Sequence, residues 1–139
     1  NKFITFLLLI IIGYGSLCAQ EFVVDYKYYP ATGQEKNIAI MYFGGSGGGY
    51  PIDSYVEKTL TKLGYPCIGV AYFKTENTPK NLSEIPLEYF GQAIEMYLEK
   101  SEIKGKKLVI IGGSKGGELA LLLASKFSEI NGAGCANWG

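Results

Sequence analysis

The hydrophobic pattern of the chain predicts five β-strands. Residues 22–29 alternate between polar and apolar positions and are rich in β-branched and aromatic side chains, which is typical of an edge strand. Continuous apolar runs at residues 38–43, 67–73 and 108–111 predict strands that are buried on both faces, as in the centre of a parallel sheet. A last strand is predicted over residues 133–138.

Helical periodicity separates these strands. A first helix is predicted from Pro51 to Gly64, with a buried face formed by Val56, Leu60 and Leu63. A second begins near Pro86, and its apolar face comprises Leu87, Phe90, Ile94 and Leu98. A third, over residues 118–124, is apolar most of the way round, which predicts full burial. Strands and helices that alternate at this spacing predict an α/β fold with a doubly wound, mostly parallel sheet.

The turn before the third helix carries the first candidate for chemistry. It reads Gly112-Gly113-Ser114-Lys115-Gly116, a Gly-x-Ser-x-Gly pattern between an apolar strand and a helix. That context is typical of the nucleophile elbow of an α/β-hydrolase, in which the serine lies on a strained bend with its Oγ exposed. Gly112 and Gly116 fit this interpretation, because side chains there would collide where strand and helix pass closely. The alternative is an ordinary glycine-rich turn with an incidental serine.

A second glycine-rich segment, the glycine loop (residues 44–49), follows the strand at residues 38–43. It lacks the last glycine of a dinucleotide fingerprint and the Gly-Lys-Ser/Thr of a P-loop, so we predict no cofactor and no metal there. Its position favours an oxyanion hole, in which the N–H of Gly45 or Ser46 acts together with the N–H of Lys115. A flexible turn is the alternative.

Ser46 is also a rival nucleophile, because the glycine loop contains a Gly-x-Ser-x-Gly pattern of its own. The loop has too many glycines to hold one strained bend, and it precedes the first crossover helix, where the oxyanion loop of an α/β-hydrolase normally lies. Both observations favour Ser114 as the nucleophile.

The general base and the acid that orients it are missing from the sequence. The chain contains no histidine, and Glu118 and Glu129 are the only acids after Ser114. In an α/β-hydrolase the order is serine, then Asp or Glu, then His. Neither glutamate is placed as a triad acid, so we expect the triad Asp and His beyond Gly139; otherwise the chain is not a working hydrolase.

Tyr72 and Phe73 would border the same cleft at the end of the neighbouring strand. They are interpreted either as walls of an acyl or leaving-group pocket or as ordinary packing at a strand end. The partner predicted for the cleft is a small-molecule acyl ester or thioester.

The N-terminus and the charge balance concern location and partners. Lys2, an apolar run at residues 3–12 and a looser small-residue region predict a signal peptide cleaved near Ala19, and hence a periplasmic or secreted protein. An uncleaved membrane anchor is the alternative. Residues 20–139 are then the N-terminal half of one domain.

The 13 basic and 13 acidic residues cancel, which argues against nucleic acid or a membrane surface as a partner.

Cys67 and Cys135 are predicted to be unpaired, small, buried hydrophobic residues. In the strand order of an α/β-hydrolase their strands lie three positions apart, which is about 14 Å at about 4.8 Å per strand. A disulfide needs Cα atoms within about 7 Å of each other.

Longer motifs resemble one family over residues 37–139. The motifs are Phe43-Gly44-Gly45, Ala71-Tyr72-Phe73, the segment from Leu82 through Leu87-Glu88-Tyr89-Phe90, and Ile111-Gly112-Gly113-Ser114-Lys115-Gly116-Gly117-Glu118-Leu119-Ala120-Leu121. Together they resemble the C-terminal α/β-hydrolase domain of acyl-CoA thioesterases and bile acid-CoA:amino acid N-acyltransferases, and they cover the N-terminal part of that domain only. The resemblance implies that Ser114 accepts the acyl group and that an Asp and a His lie downstream. A serine here implies hydrolysis of an ester or thioester. The alternatives are acyl transfer to an amine or alcohol, and a catalytically dead remnant that binds a ligand.

Overall fold

The computed structural model describes residues 20–51 and 56–136. The predicted signal peptide and the end of the last predicted strand lie outside these residues. The strands are β1 (Asp25–Tyr29), β2 (Ile38–Phe43), β3 (Cys67–Ala71), β4 (Lys107–Gly113) and β5 (Ile130–Ala136), and the helices are α1 (Leu87–Glu99) and α2 (Lys115–Lys126), with a short π-helical segment at Val56–Leu60. In this part of the chain no helix has the length and apolar character needed to span a membrane.

The strands form one sheet in the order β1-β3-β2-β4-β5. The edge strand β1 is antiparallel to β3, and the other neighbours are parallel, which confirms the predicted mostly parallel sheet. Phe43, the last residue of β2, is paired with Gly112 of β4 and with Val70 of β3. The carboxyl ends of the three central strands therefore lie side by side, and the loops that follow them meet at one edge of the sheet.

The main core lies between the sheet and α1. Helix α1 buries Tyr89, Phe90, Ala93, Ile94 and Tyr97, and the strands contribute Met41, Phe43, Ile68, Val70, Leu108 and Ile110. A smaller cluster on the other face of the sheet contains Ile40, Tyr42 and Cys67. Since β2 and β3 have residues in both clusters, their continuous apolar sequences follow directly from burial on two faces.

Two predicted helical faces are wrong in part. In α2 the predicted full burial fails, since Leu121 is 58% exposed and Leu122 is 45% exposed. The sheet covers one face of α2. The apolar pattern alone does not show whether the opposite face of the helix is covered as well. In the first helical segment Leu63 is exposed and Thr61 is buried, because both residues lie beyond the short π-helical segment, in the turn that leads to β3. There the Gly64 N–H donates to the Thr61 carbonyl at 3.0 Å and the Tyr65 N–H to the Leu60 carbonyl at 3.1 Å.

The two cysteines of the sheet are both free thiols. Cys67 lies on β3 and Cys135 on β5, with β2 and β4 between them, which is the separation that the sequence predicts. Cys67 is buried as predicted, but the prediction for Cys135 is wrong, because its side chain is exposed. Cys135 lies on β5, at the edge of the described sheet, where it is covered less than a residue of a central strand.

Candidate active site

Ser114 lies on a strained turn between β4 and α2. Its φ is 50° and its ψ is −120°, a conformation that non-glycine residues rarely adopt and that costs about 1–3 kcal/mol. The side chain is exposed, and although Ser114 is the N-cap residue of α2 it makes no capping hydrogen bond with its hydroxyl. A serine that served only to cap the helix would use that hydroxyl on the backbone. The strain and the free hydroxyl therefore need another explanation.

Glycines around Ser114 make the bend possible. A Cβ on Gly112 would lie 1.8 Å from the carbonyl oxygen of Gly116, at the start of α2. A Cβ on Gly116 would lie 2.5 Å from the carbonyl oxygens of both Phe43 and Gly44. Backbone atoms surround both positions, so a side chain could enter only if strand, helix or glycine loop moved.

The glycine loop lies directly beside the serine. A Cβ on Gly45 would be 3.1 Å from Cβ of Ser114 and 3.7 Å from its Oγ. The pairing of Phe43 with Gly112 produces this proximity, because β2 and β4 then end at the same edge of the sheet and the turns that follow them lie side by side. Ser46 is exposed on the same loop, and its φ is not positive, unlike that of Ser114.

Backbone N–H groups beside Ser114 are available as donors. Lys115 is the first residue of α2, so its N–H has no partner within the helix. In the described parts of the chain, the backbone hydrogen bonds outside helices and strands include none donated by Gly45, Ser46 or Lys115. The positive end of the α2 dipole lies at the same place. An anion that formed beside Ser114 would meet these donors.

An open cavity of about 510 Å³ adjoins this turn. Its walls come from the end of β3, the segment before α1, α1 itself and the first two turns of α2, and comprise Tyr72, Leu82, Ser83, Glu84, Ile85, Leu87, Phe90, Lys115, Glu118, Leu119 and Leu122. Most of these side chains are apolar. Tyr72 is thus part of the wall, whereas Phe73 packs under the glycine loop, where a Cβ on Gly48 would be 2.6 Å from its ring.

Charged groups near the serine are paired with each other. The ammonium of Lys115 lies 2.9 and 3.0 Å from the two carboxylate oxygens of Glu118 at the rim of the cavity. Within residues 20–51 and 56–136, no side-chain hydrogen bond reaches the hydroxyl of Ser114 from an acid or a base. The described residues thus bring together a serine and potential oxyanion donors, but no general base.

Sequence reasoning missed the contact that holds the glycine loop. The hydroxyl of Tyr72 donates a 2.7 Å hydrogen bond to the carbonyl of Gly44, and burial raises the pKa of Tyr72 above its usual value. The motif around Tyr72 is visible in the sequence, but its partner depends on β3 lying next to β2. The strand order expected of an α/β-hydrolase, which places these two strands side by side, is the signal that could have revealed this hydrogen bond.

Comparison with known proteins confirms the resemblance. The family model described as "BAAT / Acyl-CoA thioester hydrolase C terminal" matches residues 85–138. Human acyl-coenzyme A thioesterase 6 is 36% identical over 88 residues, which are 63% of this chain and 20% of that protein. Human acyl-coenzyme A thioesterase 1 is 36% identical over 104 residues, 75% of this chain and 24% of that protein. The chain therefore spans about a fifth to a quarter of the length of these relatives.

Solved structures confirm the α/β-hydrolase fold. The α/β hydrolase GrgF from Penicillium sp. sh18 matches with a TM-score of 0.67 at 16% identity, over 81% of this chain and 40% of that chain. MenH from S. aureus matches with a TM-score of 0.58 at 21% identity, over 79% of this chain and 41% of that chain. At these identities the likeness concerns the fold alone.

Proposed function

We propose that this chain carries the nucleophile and the oxyanion hole of a serine hydrolase that cleaves an ester or thioester through an acyl-enzyme on Ser114. The observation that carries the proposal is the strained, exposed and non-capping conformation of Ser114, between Gly112 and Gly116. It is the arrangement that the nucleophile elbow requires. The family match and the thioesterase relatives support a thioester as the substrate class.

The proposed reaction uses Ser114 as the nucleophile and proceeds through an acyl-enzyme in two steps. The Oγ of Ser114 attacks the carbonyl carbon and gives its proton to a general base, and the alcohol or thiol leaves with a proton from that base. Water then hydrolyses the acyl-serine ester, which releases a carboxylic acid and restores the hydroxyl. A His and an Asp elsewhere in the full-length protein would supply the base and the acid that orients it.

The oxyanion of each tetrahedral intermediate would be held by backbone donors. One is the N–H of Lys115, and the other is the N–H of Gly45 or Ser46 in the glycine loop, where Gly45 lies directly beside the serine. A donor of this kind stabilises the transition state by about 3 kcal/mol. The neighbouring cavity has the size and apolar lining of a small-molecule site and would take the acyl or leaving group.

Active-site labelling tests the proposal. The full-length protein is treated with a fluorophosphonate probe, and turnover of an aryl ester and an acyl thioester is measured. We expect Ser114→Ala to abolish both labelling and turnover, and Ser125→Ala, an exposed serine of α2, to change neither. Turnover by Ser114→Ala at the wild-type rate would refute the proposal. Loss of the label in Ser46→Ala alone would assign the nucleophile to Ser46.

Product analysis separates hydrolysis from acyl transfer. With an amine or an alcohol present as a competing acceptor, a hydrolase yields the carboxylic acid, whereas an acyltransferase yields the amide or the new ester. A full-length protein that neither labels nor turns over would be a catalytically dead remnant.

We also propose that the protein is exported, on the basis of Lys2 and the apolar run at residues 3–12. Cleavage near Ala19 would release it to the periplasm or the medium, and retention of the segment would anchor it to the membrane instead.

A further inference from the structure

Tyr72 is held rigidly at the carboxyl end of β3. Its side chain is 4% exposed, and its ring packs against the rings of Phe43, Phe73 and Phe90 at centroid distances of 5.9, 5.1 and 5.8 Å. The hydroxyl, at the end of this fixed ring, donates its hydrogen bond to the Gly44 carbonyl. A buried tyrosine that is fixed by three other rings positions its hydroxyl with little freedom.

The carbonyl that accepts this bond belongs to the peptide group between Gly44 and Gly45. That peptide is trans, so its N–H, which belongs to Gly45, points opposite to the carbonyl that Tyr72 holds. The same carbonyl oxygen lies against the start of α2, where a Cβ on Gly116 would be 2.5 Å away. Rotation of the peptide would break the bond to Tyr72 and leave a carbonyl without its partner beside packed backbone.

We propose that Tyr72 is a positioning residue of the oxyanion hole: by holding the Gly44 carbonyl, its hydroxyl fixes the direction of the Gly45 N–H beside Ser114. The inference rests on the proposed function, because it assigns Tyr72 a role in the same site. It gives a catalytic purpose to a buried hydroxyl that packing alone does not require.

The residues after Tyr72 hold the rest of the glycine loop in the same way. The Gly49 N–H donates to the Phe73 carbonyl at 2.8 Å, and the ammonium of Lys74 donates to the Gly47 carbonyl at 3.2 Å. The loop is therefore attached to the end of β3 at its start, middle and end. Its many glycines would otherwise leave the donors without a defined direction.

The test is Tyr72→Phe in the full-length protein, with Tyr97→Phe as the matched control. Tyr97 is also buried and also donates its hydroxyl to a backbone carbonyl, that of Pro66, at 2.9 Å. Pro66 precedes β3 and so lies at the opposite end of the strand from Tyr72. The two variants remove the same kind of hydrogen bond, one beside the glycine loop and one far from it.

We expect Tyr72→Phe to lower kcat at least about tenfold with KM unchanged, and to weaken binding of a trifluoromethyl ketone, which forms a tetrahedral adduct, by the same factor. Tyr97→Phe should leave kcat and adduct binding at the wild-type values, even if both variants lower the melting temperature. Equal kcat values in the two variants would overturn the proposal. If Tyr72→Phe does not fold, 3-fluorotyrosine at position 72, which keeps the hydroxyl, is compared with 4-fluorophenylalanine, which lacks it; equal kcat values there would also overturn it.

Failure of this inference is distinct from failure of the proposed function. If Ser114→Ala is inactive while Tyr72→Phe retains the wild-type kcat, the serine hydrolase stands and the role of Tyr72 falls. If Ser114→Ala retains turnover, the proposed function and the role of Tyr72 fall together.

Discussion

Gly45 and Ser114 approach each other so closely that a Cβ on the glycine would lie 3.1 Å from Cβ of the serine. They are 69 positions apart in the sequence, and the parallel pairing of β2 with β4 brings them together. A contact of 3.1 Å is tighter than a side chain normally tolerates, yet it is close enough that a shift of a few tenths of an ångström would relieve it. That relationship makes Gly45 a sensitive probe of the site.

We predict that Gly45→Ala lowers kcat by about ten- to a hundredfold, because the added methyl group displaces either the Ser114 side chain or the donor N–H. Gly47→Ala is the matched control, since a Cβ at Gly47 meets nothing within 4 Å. Steady-state kinetics on the full-length protein decide the matter. Equal kcat values for the two variants would show that the glycine loop does not take part in the reaction.

A second prediction concerns the stability of the turn. In Gly116→Ala the new methyl group would overlap two carbonyl oxygens at 2.5 Å, so we expect the free energy of unfolding to fall by about 3 kcal/mol. Gly134→Ala, on β5, should be nearly neutral because its Cβ meets nothing within 4 Å. Urea unfolding of both variants measures the difference. A Gly116→Ala protein as stable as Gly134→Ala would mean that strand, helix and loop are less tightly packed there than the structure shows.

The sequence predicts the central strands well because their environment leaves little choice. Residues 38–43 form a strand with the predicted bounds, since six apolar residues between Asn37 and Gly44 suit only a strand buried on both faces. The exposed leucines of α2 were not predictable in the same way. An apolar residue at a helix surface has the same sequence signal whether or not another part of the protein covers it.

The candidate site likewise has a part that the sequence predicts and a part that it does not. The position of Ser114 between strand and helix is local information, and the glycines on either side of it are a steric requirement that can be read from spacing. The hydrogen bond from Tyr72 to Gly44 is tertiary, because it depends on the order of β3 and β2 in the sheet. Spacing along the chain carries no trace of that bond.

A third prediction concerns acid stability and the loop after β3. Burial raises the pKa of Asp25, but hydrogen bonds from Thr75 and Asn77 outweigh it, and the pKa lies below its usual value of 3.8. A lowered pKa stabilises the folded state above the unfolded-state value, and that contribution is lost as the pH falls through the folded-state value. We therefore expect wild-type stability to fall below about pH 4 more steeply than that of Asp25→Asn.

Thermal unfolding between about pH 6 and pH 3 tests this. Glu76→Gln is the control, because Glu76 lies exposed in the same loop between Thr75 and Asn77. It should keep the wild-type slope. The same slope in Asp25→Asn and wild type would show that Asp25 does not link the loop to β1 at neutral pH.

The last prediction concerns the N-terminus. If residues 1–19 are a signal peptide, we expect the exported protein to begin at Gln20. The reason is that signal peptides are cleaved after a small residue, here Ala19, that follows an apolar core. Intact-mass measurement and N-terminal sequencing of the protein from the periplasm or medium check this. Replacing Ala19 with a bulky residue, as in Ala19→Leu, should leave the precursor uncut and attached to the membrane, while Gln20→Asn, just after the site, should be processed normally. A protein that stays in the membrane with its first residues intact in the wild type would show that the segment is an anchor, and the substrate would then have to reach Ser114 at the membrane surface.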